Sequence, residues 1–344
     1  MNIKKLLKKL DMYKNINKCN IDKNEIILEN NKDIIEDGDF ISSEIANYIN
    51  SELLYKYKIN YKYKKRNIKV SFFSKKKHKN IKYLLSVIIN RIIFVMDITG
   101  IYKDVNMYIY DTHFKKKLPC KHFNKCKKNV SVDNINTGYN WGNNIVIYRR
   151  EELLKLIIHE MIHLLDIDVK YEISNIKSEF LKSLCIESED VLINESYVET
   201  WAIILHMYIS LLEQNKYSYK NYKSYFNKTL LFNFKQVLKI LIFYNIDNFN
   251  DIFKVEKRCK KIFELKKNLF SYHILKLLNL MNINDFINKY AENENKTICK
   301  STYNMDKYIK YLEPRLKKMS NIINKKIRLF KKDKYNLSLK MSLN

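Results

Sequence analysis

The sequence predicts an α+β fold: a small mixed sheet, a helix backing it, a second helix that carries the chemistry, and a mainly helical C-terminal subdomain. Three observations predict it. Apolar and polar residues alternate through Ile68, Val70 and Phe72, again over 105–110, and a short apolar segment spans 144–148 with Ile145, Val146 and Ile147; these are strand patterns. Residues 81–95 form a strongly apolar run with Leu84, Leu85, Val87, Ile88 and Ile92, long enough for a buried helix. From about residue 175 to 330 no comparable strand pattern occurs, and helical patterning dominates.

Taken in order, the elements divide the chain in four. Residues 1–60 read as a helical N-terminal extension. Its first turns place Ile3, Leu6, Leu7 and Leu10 on one face with lysines between them, a basic amphipathic helix suited to packing on the main body or to docking on a membrane surface or partner. Residues 61–170 read as the sheet-bearing subdomain. There the strand at 68–72, a basic loop at 75–79, the helix at 81–95 and the strand at 105–110 precede a polar loop with Pro119, Cys120 and Cys126. Gly138-Tyr139-Asn140-Trp141-Gly142 reads as a turn-rich segment before the strand at 144–148. Glu151 and Glu152 open the next helix, where acidic groups suit the positive N-terminal end, and that helix ends near Asp166. Residues 171–316 read as the helical C-terminal subdomain, and 317–344 as a basic, solvated tail.

Composition bounds the function. With 344 residues and 46% hydrophobic content the chain is long enough for a full core, which argues against disorder. The net charge of +27 points toward a polyanion, either nucleic acid or an anionic membrane. Lys, Asn, Ile and Tyr are abundant while Gly and Pro number 4 and 2, a bias shared by AT-rich codons, so part of that charge reflects lysine drift on solvated faces. The six cysteines are scattered without a disulfide framework, and the N-terminus lacks an apolar segment of signal-peptide length. No run reaches the ~18 apolar residues of a spanning helix. These features predict a reduced, intracellular, cytoplasmic protein with no transmembrane segment.

The most informative residues are His159-Glu160-Met161-Ile162-His163, set in the apolar run 154–165. Residues four apart on a helix lie one turn from each other on one face, so both imidazoles can reach a single Zn²⁺ while Glu160 leans over its open position. Unpaired polar groups on such a helix are costly to bury, which favours a shared ligand. A catalytic zinc takes a third protein ligand. Downstream, Glu195 and Glu199 lie four apart on one face of a second expected helix; one carboxylate can bind the metal and the other can fix a histidine's tautomer.

His-Glu-Met-Ile-His followed by Asn194-Glu195 and Glu199 resembles the gluzincin branch of zinc metallopeptidases, the thermolysin-like HExxH enzymes. The resemblance implies a zincin-like fold, Zn²⁺ as cofactor, Glu195 as the third ligand and Glu199 as the outer acid. That family's pattern has Asp where this chain has Glu199, which leaves open the reverse assignment of the two glutamates. The stretches Lys117-Leu118-Pro119, Asn136-Thr137-Gly138-Tyr139, Arg149-Arg150-Glu151-Glu152 and Glu195-x-Tyr197-x-Glu199-x-Trp201-Ala202 also resemble uncharacterised HExxH proteins of large DNA viruses, over about half the chain. That likeness implies a viral protein, virion-associated or cytoplasmic, and brings no substrate.

The expected activity is therefore zinc-dependent peptide hydrolysis, with Glu160 as general base. A histidine downstream of the metal ligands stabilises the oxyanion in the thermolysin-like family, which implies His273 for that part; Tyr272, His206 and Tyr208 are the other candidates. An extended protein or peptide substrate is expected to lie along the strand at 144–148, against Tyr139, Ile145 and Ile147, with Gly138 and Gly142 either leaving room for close backbone approach or simply forming a turn. The competing reading is a catalytically inactive zincin-fold protein that binds nucleic acid or membrane through its basic surface; the intact Glu160 argues against it. His206 lies about 16 Å along a helix from Glu195, too far to share its metal easily. His113, Cys120, His122 and Cys126 form a second, irregularly spaced candidate zinc cluster.

Overall fold

The computed structural model describes residues 1–13, 19, 21–22, 25–119, 130–169, 174–184, 186, 191–253, 269–291, 305–330 and 338–342. Six strands form one sheet in the order β1-β2-β3-β4-β6-β5: β1 (Ile27–Asn30), β2 (Tyr55–Tyr63), β3 (Arg66–Ser74), β4 (Val105–Tyr110), β5 (Gly138–Trp141) and β6 (Asn144–Ile147). The pairs β1/β2, β2/β3 and β5/β6 are antiparallel, and β3/β4 and β4/β6 are parallel. The helices are α1 (Ile3–Leu10), α2 (Ser43–Glu52), α3 (Ile81–Thr99), α4 (Val132–Ile135), α5 (Leu153–Leu164), α6 (Asn175–Ser183), α7 (Asn194–Glu213), α8 (Tyr219–Phe243), α9 (Lys276–Met281), α10 (Ile283–Tyr290) and α11 (Met305–Phe330).

The α+β class holds, and a sheet, α3 and α5 follow one another as the alternations predict. One face of the sheet, with Ile68, Val70, Phe72, Met107, Ile109, Ile145 and Ile147, joins the main core with α3 and α5. The other face, with Phe73, Tyr110, Val146 and Tyr148, packs on Ile41, Ile45, Ala46, Ile49 and Leu53 in and around α2. β3 and β4 are parallel and need a crossover, which α3 supplies. Gly100, at φ 65° after its last turn, ends α3 in the left-handed conformation glycine adopts without cost.

Three sequence expectations change. The proposed boundary at residue 60 falls inside β2, so the first sixty residues are not a separate helical extension: β1 and most of β2 belong to the sheet, and Leu6, Leu7 and Leu10 of α1 are buried in the main core. Residues 138–141 of the turn-rich segment are a strand, because the two residues Gly142 and Asn143 suffice to turn the hairpin, with Trp141 opposite Asn144. Gly138 is required there: a Cβ would sit 2.5 Å from the Val146 carbonyl oxygen. The basic tail is not wholly solvated. α11 continues to Phe330 with Met319, Ile323 and Ile327 buried, and Leu339 and Met341 are buried beyond it.

That last segment, 338–342, is bound into the interior. Its Leu339 N–H donates to the Lys116 carbonyl, and the Lys239 and Lys276 ammonium groups donate to the Ser338 and Met341 carbonyls. The Met341 N–H and Ser342 hydroxyl donate to Glu152 Oε1, at 2.8 and 2.6 Å. Glu152 also pairs with Lys116, both side chains being 1% exposed. Glu152 stands just ahead of α5 at φ 65°, so its role there is to anchor a buried pair as well as to face the helix end. Burial works against its charge, and Lys116 and Lys155 overcome this, taking its carboxyl down to about 2.

Removing one partner of a buried pair leaves the other charge stranded, at about 3–5 kcal/mol. Glu152→Gln is therefore expected to lower the urea-unfolding free energy by about that amount at pH 7. Because the folded carboxyl lies below its ordinary range, its contribution is full above that range and fades as pH falls toward 2. The gap between wild type and variant should narrow over that window, and a pH-independent gap would contradict this account of Glu152.

Candidate metal centre

α5 packs directly on α7, the longest contact α5 makes with any helix. Both helices are apolar on nearly all sides at this contact, as buried helices are. The polar side chains that remain there are buried among apolar neighbours. His159 and Glu160 are each 4% exposed, Glu195 7% and Glu199 0%.

His159 Nε2 lies 3.3 Å from Glu195 Oε2, and His163 Nε2 lies 3.4 Å from the same oxygen. The three residues offer ligand atoms all within 4.8 Å of one another. Ligands at zinc distances of about 2.0–2.1 Å in a tetrahedron stand roughly 3.3–3.4 Å apart, so two of the three separations already match a zinc site. Two imidazoles and one carboxylate form a donor set that suits zinc and leaves a fourth position for water. Among the described residues this is the one cluster of His, Cys, Asp and Glu able to hold a metal ion.

Each imidazole has a carboxylate behind it. Glu199 Oε1 lies 2.9 Å from His159 Nδ1, and Asp168 Oδ2 lies 3.0 Å from His163 Nδ1. These partners favour a proton on Nδ1 and leave both Nε2 atoms for a metal. Asn194 Nδ2 steadies Asp168 at 3.4 Å. The geometry thus puts Glu195, rather than Glu199, between the two Nε2 atoms. Asp168 was not visible in the sequence as part of the site. Its signal was position alone: the first acid beyond the turn that ends α5, five residues after His163.

Burial disfavours charge on both histidines, but Glu195 and Glu199 raise His159, and Glu195 with Asp168 raises His163 well above the usual imidazole range. Glu195 and Glu199 are held well below the ordinary carboxylate range despite burial, Glu195 chiefly by His163 and Glu199 chiefly by Lys155.

Glu160 points to a different partner. Its Oε2 accepts a hydrogen bond from Asn140 Nδ2 of β5 at 3.0 Å, and burial raises its carboxyl above the ordinary value. β5 is the last strand of the sheet order, so this bond ties the acid to the edge strand. Along β5, Tyr139 and Trp141 point away from Asn140 and stack on one another at 5.5 Å, and Tyr139 stacks on Phe40 at 5.2 Å.

The remaining expected residues fall differently. Ile145 and Ile147 are fully buried, and β6 is paired on both sides, so neither their side chains nor their backbone can meet a substrate; the open edge belongs to β5 and Tyr139. His273 is 1% exposed, and burial together with Lys276 and Lys116 holds it neutral, well below its usual range. Its neighbour Tyr272 is the residue whose ring adjoins His159, at 6.3 Å between centroids. Both sit on a π-helical turn, Phe270–Leu275, where each turn takes an extra residue and the helical phase shifts. His206 is committed elsewhere: its Nδ1 accepts from Arg91 at 2.9 Å, and it lines a separate cavity of about 570 Å³ with Lys155, Arg150 and Tyr48. Tyr208 donates to Asp11 at 3.0 Å. Of the second candidate zinc cluster, Cys120, His122 and Cys126 lie outside the described residues, and His113 stacks on Phe114 at 4.7 Å.

No protein-family model, no curated protein and no solved structure matches this chain. Among the described residues no helix is long and apolar enough to cross a membrane.

Metal binding to this cluster must displace protons held by the raised imidazoles. Titrating zinc into weakly buffered protein near pH 7 is expected to release protons, and zinc affinity should fall steadily as pH is lowered from 8 to 6. His163→Ala should lose the binding. Tight zinc binding with no proton release would contradict the assigned protonation.

Proposed function

We propose that the chain is a zinc-dependent endopeptidase. The observation that carries this reading is the convergence of His159 and His163 Nε2 on one oxygen of Glu195, with Glu160 held beside them by Asn140. A structural zinc site fills all four positions with protein and has no use for a buried base.

His159, His163 and Glu195 would hold the ion, with Glu199 and Asp168 fixing the two rings. Bound zinc supplies Lewis-acid activation of water and of a substrate carbonyl. Glu160 takes the proton from the attacking water and passes it to the leaving amine nitrogen. Its carboxyl, raised by burial, is the better matched to proton transfer near neutral pH, and Asn140 holds one of its oxygens in place. Tyr272, whose ring adjoins that of His159, is the candidate protein donor for the developing oxyanion. An extended peptide adds as a further strand beside β5, the terminal strand of the sheet among the described residues, where Tyr139 lies. The fold reading is zincin-like on the same grounds: a mixed sheet with an antiparallel edge strand beside an HExxH helix, and a third ligand from a following helix.

Glu160→Gln is expected to lower hydrolysis of a quenched-fluorescent peptide library by on the order of 10³-fold, within the span of general-base effects, while zinc content stays at one per chain. Wild-type rates from that variant would remove the mechanism. Tyr272→Phe should lower kcat by roughly 10²-fold with KM and zinc content little changed, whereas an equal loss in His273→Phe but not in Tyr272→Phe would reassign the donor.

A further inference from the structure

Glu199 receives more positive charge than an orienting carboxylate needs. Its Oε1 is 2.9 Å from His159 Nδ1 and 2.5 Å from Lys155 Nζ, and its Oε2 is 3.7 Å from Lys276 Nζ. Both lysine side chains are essentially inaccessible, at 1% and 0%. Lys155 stands one helical turn before His159 on α5, so the two side chains reach Glu199 from the same face. Lys276 opens α9, and its second contact is the Met341 carbonyl at 3.0 Å.

A carboxylate behind a ligand histidine ordinarily makes the imidazole a stronger donor to the metal. One lysine would be enough to offset the burial of Glu199. Here Lys155 and Lys276 both approach Glu199, and Lys116 pairs with the neighbouring Glu152, so three buried lysines stand behind a cluster suited to a divalent cation. Burying an ammonium group is costly, so a lysine placed there calls for a function. Burial works against the charge of Lys155, and Glu199 with Glu152 outweighs it, so the ammonium persists at neutral pH.

Resting on the zinc reading above, we propose that Lys155, supported by Lys276, is a positioning residue that holds back the charge of Glu199 from His159. The imidazole then gives less electron density to the ion. The site binds zinc more weakly than its ligands alone would allow, and the ion keeps more of its polarising power. The alternative, a lysine that merely braces α5 against α7, makes the opposite prediction for metal affinity.

Lys155→Met keeps an unbranched side chain of similar length and leaves His159 and Lys276 beside Glu199. Zinc affinity is measured by competition with a chromophoric chelator at fixed pH, with circular dichroism as the control for folding. Lys155→Met is expected to bind zinc at least about tenfold more tightly than wild type, a change within the range that outer partners of metal ligands produce. Lys155→Arg, which keeps the charge, should stay within about threefold of wild type, and Glu199→Gln should bind more weakly. On the peptide library, Lys155→Met should show a lower kcat despite its tighter zinc. Equal or weaker zinc binding in a folded Lys155→Met overturns the proposal and leaves the metal centre standing. If Lys155→Met does not fold, Lys276→Met carries the same sign test. Wild-type protein that binds no zinc overturns the metal centre, and the proposal with it.

Discussion

The structure depends on one contact: the carboxylate of Glu195, carried on α7, reaching the two imidazoles of α5. Lys155 and His159 also meet Glu199 across the two helices, and the rest of the contact is apolar, with Ile157, Ile158, Met161, Ile162, Val198, Ala202 and Leu205 in one core. Packing of that kind fixes distance but tolerates sliding. A shared oxygen at 3.3 and 3.4 Å from two nitrogens does not, because a slip of one turn, about 5.4 Å, would strand three buried polar groups. The polar cluster therefore sets the register of α5 on α7, and with it the position of Glu160 against the edge strand.

Around that contact the charges are arranged in layers. At the centre are two imidazoles and Glu195; behind them stand Glu199 and Asp168; behind Glu199 stand Lys155 and Lys276, then Glu152 with Lys116. Each layer offsets the desolvation of the one before it, which is how so many ionisable groups are tolerated in a core. The segment 338–342 closes the last layer by giving Glu152 two donors and Lys276 an acceptor. Residues nearly two hundred positions apart in sequence thus support the N-terminal end of the same helix that carries the histidines.

Much of this was legible in the sequence where a strong period coincided with a chemical constraint. The helix at 81–95, the strand at 105–110 and the histidine helix stand out because long apolar runs leave few alternatives, and α7 announced itself through Glu195 and Glu199 four apart on an apolar background. β2 was missed although Tyr55, Tyr57, Ile59, Tyr61 and Tyr63 alternate with polar residues; the lysines between them resembled the neighbouring amphipathic helix. β5 was missed because its glycines signal a turn, whereas Gly138 serves the close approach of two strands. Assigning substrate contacts to Ile145 and Ile147 followed from that omission, since without β5 the strand 144–148 would be the sheet edge. That the ring of Tyr272, and not that of His273, adjoins His159 has a different cause. A π-helical turn rotates side chains out of the ordinary phase, and no count of 3.6 residues per turn reveals it. Asp168 and the buried lysines are tertiary facts: their partners lie on other elements, and single side chains without a motif carry no spacing to read.

The account turns on zinc held by two imidazoles from α5 and the carboxylate of Glu195. Zinc-edge X-ray absorption on the zinc-loaded wild type and on Glu195→Gln tests it most directly. The expected spectrum for the wild type has two imidazole nitrogens and one or two oxygens at about 2.0–2.2 Å, with an oxygen contribution that changes in the variant. A zinc shell without histidine scattering, or one identical in wild type and Glu195→Gln, would contradict it.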